Sequence, residues 1–594
     1  MKRLIPIALF LFVTSSSPAQ ININVVYPRA GQQIVLVDSE FIFGSVTPGC
    51  SLSINGQEIK VHRDGGWLAF LPVDGGRFTF GITARKGDDS SFLEVPVIFG
   101  TDTAARYIPR DISPGSKAVY SVDDDFEFSF EAPGGGTAWF SIDDRPLVKM
   151  IEASGQDASD PGSVFGRRQS PVTEAMRYFG FYRFEESDTG SHRICYQYTN
   201  PAQSAVENPV VFRNCIDSLI TVQPSSWEQI GVLSGVSQII RVAPGMGYKL
   251  LGQPPGVMVR IAGMVDGFYR LRLAGNVTGY ANVDSVRLLP RGTVFPRAAI
   301  GFIKVDADDG GIKISMDVGA KLPYEISEEL GPARINVDIF GAVSNVDWIR
   351  YSTDKPMIKL VRWSQPEDGV FRMTFEGNGD AIWGYEAHYL GNTLVLQIKA
   401  QPEVKPTFFK RLKGLQIAID PGHSHDTGAI GPTGLCESDA NLWIAHELRK
   451  MLEREGAEVI MTRYGHEDVA LYDRPRRADK WGADLLISIH NNALPDGINP
   501  FYNNGTSVYY YHPHSKPLAE AIHRHMLTAT GLRDHGLYYG NLALTRYSAV
   551  PAVLVECAFM MIPEQEAALK SDKFQRKCAR AIRDGIIDFV RGSK

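Results

Sequence analysis

The sequence predicts a multidomain protein in which all-β modules precede a C-terminal α/β domain with a mainly parallel sheet covered by helices. Three observations carry this. At 594 residues the chain exceeds what one hydrophobic core supports, and at about 150 residues per domain several units are expected. Up to about residue 402, short runs alternate apolar and polar residues between turn signals, the period of half-buried strands. After Lys410 apolar runs alternate instead with helical periods, the pattern of βα units.

The first residues place Lys2 and Arg3 before the apolar run Leu4 to Val13, and small residues then end at Ala19. Residues 1–19 therefore read as a cleaved secretory signal, because the run is too short to span a bilayer. No later stretch reaches about 18 uninterrupted apolar residues, so no integral membrane segment is expected after cleavage. The expected location is outside the cytoplasm, in the periplasm. A formal charge of -6, with no basic stripe interleaved with aromatics, argues against a nucleic-acid partner. Six cysteines are too few for a disulfide framework in a chain of this length. Cys195 and Cys215 bracket a short β-like stretch and an oxidising compartment permits their pairing, although sequence leaves the connectivity open.

Residues 20–100 contain "FIFGSVTPGCSLSING", "GGWLAFLPVDGG" and "FTFGITARKG", strands at sandwich spacing, and resemble the immunoglobulin-like modules of some exported bacterial enzymes. Residues 101–218 stay β-like but irregular, with a polar insertion, "ASGQDASDPGSVFGRRQSP", expected to be a mobile loop. Residues 219–295 end in "DGFYRLRLAGNVTGYANVDSVRLLP", which resembles bacterial SH3-like domains. Residues 296–402 alternate again, and "ISMDVGAKLPYEIS" with "ARINVDIFG" resembles the AMIN module of envelope proteins. "QPEVKPTFF", with its two prolines, begins a linker placed at 403–412. The catalytic unit is then 413–594, where "LQIAID", "AEVIMTR", "ADLLISIH", "TSVYYY" and "AVLVE" read as strands. A helix from about Asp439 places Leu442, Ala445, Leu448 and Leu452 on one face and stops at Gly456.

In open α/β sheets, ligands gather outside the carboxyl ends of the strands, so the polar residues ending those strands are informative. "LQIAID-PGH" delivers His423, "LLIS-IHNN" delivers His490 and "AVLV-ECAF" delivers Glu556. Glu437 follows His423 by fourteen residues, just ahead of the next helix. Two imidazoles and one carboxylate leave a fourth position open on a zinc ion, which is a catalytic rather than a structural arrangement. A second carboxylate is what such a centre needs to move a proton. The residues alone leave open which glutamate binds metal. Ten of thirteen histidines follow Lys410, and His425, His512, His514, His523 and His525 are candidates for surface or supporting roles. "HPH" at 512–514 is the rival ligand pair.

"AIDPGHSHDTGAIGPTGLCESDANL", "YDRPRRADKWGADLLISIHNNALPD", "GTSVYYY" and "PAVLVECAFMMIPEQE" resemble, in order and spacing, the zinc-dependent N-acetylmuramoyl-L-alanine amidases of the amidase_3 type. The resemblance covers about residues 413–592. It implies one Zn²⁺ held by His423, Glu437 and His490, with Glu556 catalytic. It also implies peptidoglycan as substrate, cut between N-acetylmuramic acid and L-alanine. Asn492, in "HNN", matches a polar position beside the metal in the family and is expected to hydrogen-bond substrate, and Arg546, in "LALTRY", is expected to contact a stem-peptide carboxylate. An envelope or division protein is an expected partner. Departures from the pattern are Ala558 in place of glycine, "FMMIPE" in place of an asparagine-bearing turn, and Ser424-His425 after the metal histidine. The short stretch between His490 and Thr506 leaves no room for the helical insertion by which some members block their zinc. Cys436 beside Glu437 and Cys557 beside Glu556 are read as inert thiols before a redox pair. Two other readings stand beside this one. A non-catalytic envelope-binding protein with a degenerate amidase domain would have lost one of the four site residues. A zinc peptidase of another fold would be expected to carry an HExxH helix, which is absent.

Overall fold

The computed structural model describes residues 21–100, 109–122, 124–153, 175–200, 211–308, 310–352 and 357–592. The expected signal peptide and residues 154–171 of the polar insertion lie outside the described residues.

Strands between Ile23 and Phe99 form a three-stranded and a five-stranded sheet that face each other across Trp67, Phe80 and Ile82, all fully buried. The next two sequence segments are not separate. One eight-stranded sheet joins Val119–Ser121, Gly190–His192 and Ile220–Gln223 to strands between Gln229 and Leu288. The boundary expected at 218/219 therefore falls inside a hydrogen-bonded sheet, where Val119 to Ser121 pair in parallel with Thr221 to Gln223. Turn spacing marks strand ends but says nothing about which strands pair across a long separation. Cys195 and Cys215 stand directly opposite on paired strands and form a disulfide. Strands from Ala298 to Lys399 make a five-stranded and a four-stranded sheet around a shared aliphatic core.

The C-terminal domain contains β1 (Gln416–Pro421), α1 (Glu437–Arg454), β2 (Glu458–Met461), α2 (Asp473–Trp481) and β3 (Leu485–Asn492). It continues with β4 (Thr506–Tyr510), α3 (Lys516–Thr530), β5 (Asp534–Tyr539), β6 (Ala552–Phe559), α4 (Pro563–Leu569) and α5 (Asp572–Gly592). Ile417, Ala418 and Ile419 are buried on both faces of the sheet, as a central strand between helical layers requires. Helices α1, α3 and α5 cover one face, where Leu448, Ile522 and Ile582 meet β-strand residues such as Ile487 and Val555. The short α2 and the loop around Leu544 and Val550 cover the other. The strand order is β2-β1-β3-β6-β4-β5, and the sheet is mixed: β4 runs antiparallel to β6 while the other neighbours are parallel. The reason is local. Residues 493–505 form no helix that could carry the chain back across the sheet, so β4 starts at the rim where β3 ends and runs the opposite way.

The stretch 403–412, expected as a linker, is laid against this domain. Leu412 is fully buried in its core, and the Lys405 N–H donates to the Lys413 carbonyl at 2.9 Å. The preceding β module is docked as well. Trp383 packs its ring 5.3 Å from Phe589 and donates its indole N–H to the Asp484 carbonyl, while the Tyr385 N–H donates to Ser548. The rival "HPH" pair sits in this interface. His514 bonds Glu328 through Nδ1 at 2.8 Å with both side chains sealed from solvent, and His512 stacks on His514 at 5.3 Å. The His512 Nε2–H donates to the Arg546 carbonyl at 2.8 Å, and Nδ1 faces the Tyr385 hydroxyl at 3.3 Å. These histidines join two modules and do not share a metal with the strand ends.

Burial, reinforced by the neighbouring His514, depresses the His512 pKa to about 4. The fold thus favours the neutral ring, and its contribution is complete above the unfolded value of about 6.5 and lost as pH falls toward 4. Thermal unfolding from pH 7 to 4 should show His512→Gln losing less stability over that window than the unmodified chain, by about 2 kcal/mol.

Candidate metal centre

Register brings the first two site residues together. On the parallel neighbours β3 and β6, His490 pairs directly with Glu556, so both emerge at one level of the carboxyl-end rim. A slip of one residue would turn either to the opposite face. Pro421 of β1 pairs with Ile489, which places His423 just past the same rim. His423 has φ of 60°, a left-handed conformation uncommon outside glycine. Asp426 Oδ1 accepts from its Nδ1 at 2.5 Å, leaving Nε2 to face Glu437.

Helix α1 begins at Glu437, two residues earlier than its apolar period indicated, so this carboxylate occupies the first turn. The residue is 4% exposed. Its Oε2 lies 3.0 Å from His423 Nε2 and accepts the Ala429 N–H at 3.0 Å. Its Oε1 lies 3.0 Å from His490 Nδ1 and accepts the Asn491 N–H and the Asn441 amide, each at 3.2 Å. Burial acts to raise the Glu437 pKa, but the bonds from both histidines and their charge outweigh it and hold the carboxyl well below the usual range. For His423, burial acts to lower the pKa, yet Glu437 and Asp426 raise it overall.

One donor atom each from His423, Glu437 and His490 lies within 4.8 Å of the others, close enough to share one cation. The surrounding backbone leaves room for such a centre and little else. A Cβ at Gly422 would come within 2.2 Å of the His490 ring, and one at Gly428, where φ is 64°, within 2.5 Å of Glu437 Oε2. Glu556 is opposite. Its Oε2 is shielded from solvent and has no hydrogen-bond partner among the described residues. Burial first, and then the negative charge of Glu437, raise its pKa well above the usual carboxylate value. An unpaired buried carboxylate is costly unless it holds a proton or faces a cation. The donor set and the orphaned oxygen therefore fit a divalent metal.

A buried frame holds the loop, and sequence reading did not single it out. Arg463, fully buried, donates to the carbonyls of Pro421, Gly422 and Ser438 at 2.9, 3.0 and 2.7 Å. Arg474 bonds Asp420 at 3.0 Å and the Pro421 carbonyl at 2.9 Å, and Ser488 donates to Asp420 at 2.7 Å. The available signal was Asp420 itself, a carboxylate inside an apolar strand that must find partners. Asp426, which orients His423, carried no comparable signal.

The remaining sequence-based candidates divide. Asn492 ends β3 at the rim, where its Oδ1 accepts the Ala493 N–H at 2.8 Å. Arg546, expected to meet substrate, is at the other end of the sheet. Its carbonyl bonds His512, just past the end of β4 and five residues on from Ser507, the partner of Glu556; at about 3.3 Å per extended residue that is roughly 17 Å away. Its guanidinium instead lies over Tyr248. The cause is the antiparallel β4, which carries the following loops away from the rim. His425 points into solvent against Asp468. Ala558 is fully buried in the core, so its methyl packs there and does not narrow the cleft. Cys557 faces Cys578 in that core, with its pKa raised first by this neighbour and then by burial, so it is not a partner for Cys436.

If Asp426 orients His423, Asp426→Asn lowers Zn²⁺ affinity by about 10- to 100-fold in a competition titration against a chromophoric chelator. His425→Ala leaves that affinity unchanged.

Residues 417–588 match the family described as Amidase_3, N-acetylmuramoyl-L-alanine amidase. The chain is 35% identical over 207 residues to the N-acetylmuramoyl-L-alanine amidase LytC of Bacillus subtilis, covering 34% of this chain and 40% of LytC. It is 34% identical over 178 residues to the probable cell wall amidase LytH of Staphylococcus epidermidis, covering 30% of this chain and 58% of LytH. The chain thus spans less than two thirds of either curated relative. Among solved structures, the catalytic domain of CwlV, an N-acetylmuramoyl-L-alanine amidase from Bacillus (Paenibacillus) polymyxa var. colistinus, is 32% identical. That match covers 30% of this chain and 98% of the other, with a TM-score of 0.28. The match to the Amidase_3 family thus lies within the C-terminal domain and covers under a third of the chain.

Proposed function

We propose that this protein is an exported zinc hydrolase that cleaves the amide between the lactyl group of N-acetylmuramic acid and L-alanine in peptidoglycan. The observation that carries the reading is the convergence of His423, Glu437 and His490 beside the orphaned Oε2 of Glu556, inside an Amidase_3 domain. The names of LytC and LytH support the same substrate class. Cell-wall remodelling or daughter-cell separation is the corresponding role, the periplasm the corresponding place, and an envelope or division protein a corresponding partner.

His423, Glu437 and His490 would hold one zinc ion, which when bound supplies a Lewis acid for the scissile carbonyl and a lower pKa for water. The protein's own groups do the rest. Asp426 and the backbone N–H of Ala429 and Asn491 keep the ligands oriented. Glu556 has no competing hydrogen bond at Oε2 among the described residues, so that atom would take a proton from the attacking water and deliver it to the leaving nitrogen. Asn492, at the rim two residues beyond His490, would hydrogen-bond substrate. A degenerate, purely binding domain is not favoured, since all four positions keep chemically competent residues.

Glu556→Gln should retain one zinc per chain by elemental analysis and release dye-labelled peptidoglycan at least about 1,000-fold more slowly. His423→Ala should lose both metal and activity. Full hydrolysis by Glu556→Gln would refute the assignment.

A further inference from the structure

The N-terminal β-sandwich is clamped to the rim of the metal centre. Phe41, Phe43 and Leu68 of the sandwich share one apolar cluster with Leu494, Phe559 and Met561 of the catalytic domain. Glu40, fully buried, accepts the Gly497 N–H at 3.1 Å; the Tyr27 hydroxyl donates to Asp496; and Lys60 pairs with Glu564 at 2.6 Å. Between the two parts lies a cleft of about 670 Å³, the size of a ligand site.

Its walls come from both sides. Val26, Phe43 and Arg29 face it from the sandwich, and Ile430, Leu494 and Met561 from the catalytic domain. It adjoins the loop that carries the metal ligands. Ala429, also in its lining, donates its N–H to Glu437, and Leu494 follows Asn492 by two residues. A substrate chain extending from the cluster past Ala429 and Leu494 would meet the sandwich. The surface it meets is largely apolar, with one exposed cation, Arg29, which has no ion-pair partner among the described residues. A glycan strand needs many free hydrogen-bonding groups, whereas the other polar side chains of this lining are engaged within it, Tyr27 with Asp496 and Gln32 with the Arg29 N–H. A stem peptide combines methyl-bearing alanines with free carboxylates and matches it.

We infer that the sandwich forms a wall of the substrate cleft and that Arg29 pairs with a carboxylate of the peptide stem. The inference rests on the amidase reading for its substrate and makes the module part of the site rather than a remote anchor. Arg29 is a positioning residue for the peptide, since it bonds none of the metal-centre side chains among the described residues.

The test uses the full chain and Arg29→Glu, with Arg29→Lys as the conservative variant. Two muropeptides are compared, one with a free D-glutamyl α-carboxylate and one with that group amidated. For the free acid, Arg29→Glu should raise KM by about 10-fold or more with kcat preserved, Arg29→Lys should restore most of the loss, and the amidated substrate should be much less affected. A second arm measures a fluorescent free stem peptide binding to the chelator-treated protein, where Arg29→Glu should weaken binding similarly. Unchanged KM and unchanged peptide binding in Arg29→Glu would overturn the inference. So would binding of a peptide-free disaccharide, but not of the stem peptide, to this cleft. Arg29-dependent peptide binding by a chain that hydrolyses neither substrate would uphold the cleft assignment and overturn the amidase reading.

Discussion

Everything at the rim of the catalytic sheet depends on keeping one buried carboxylate charged. Glu437 is nearly sealed from water, a position an isolated carboxylate does not tolerate. It is held by two imidazoles, two backbone N–H groups and the amide of Asn441. Each partner fixes a different part of the chain. His423 requires the β1 loop to fold back, His490 sets the level of β3, and Ala429 and Asn441 bind the loop to the start of α1. Satisfying this group assembles the site.

The second constraint is strand register. His490 and Glu556 are level because β3 and β6 pair in parallel through the aliphatic core of Ile487, Ile489, Val553 and Val555. Around them Arg463, Arg474 and Asp420 form a buried polar frame under the metal loop. Breaking such a buried pair leaves an uncompensated charge, so the frame is a rigid support rather than a surface ornament. The β modules are attached on both sides of this unit: Trp383 and Glu328 join one at the far end of the sheet, and Glu40 and Tyr27 join another at the rim.

The catalytic domain was legible because its signals are local. Strand, turn and helix periods after Lys410 place His423, Glu437, His490 and Glu556 at comparable positions, and the first three together form the donor set of a candidate metal site. Arg546 was misplaced because its position depends on the direction of β4, which no local pattern encodes. The frame residues Arg463 and Arg474 were hidden for a related reason, since a charged residue reads as exposed until its partners are known. Among the β modules, turn spacing located strands but not pairings, so a sheet spanning residues 119–288 looked like two units. The contact between the sandwich and residues 493–498 joins segments more than 450 positions apart and had no sequence signature at all.

The central claim concerns which bond is cut, and mass analysis of soluble products from purified peptidoglycan addresses it most directly. The account predicts free stem peptides with an N-terminal L-alanine amine and glycan strands whose lactyl groups end in carboxylates, in amounts that fall together when metal is chelated. Products cut between sugars, or within the stem with the lactyl amide intact, would contradict it.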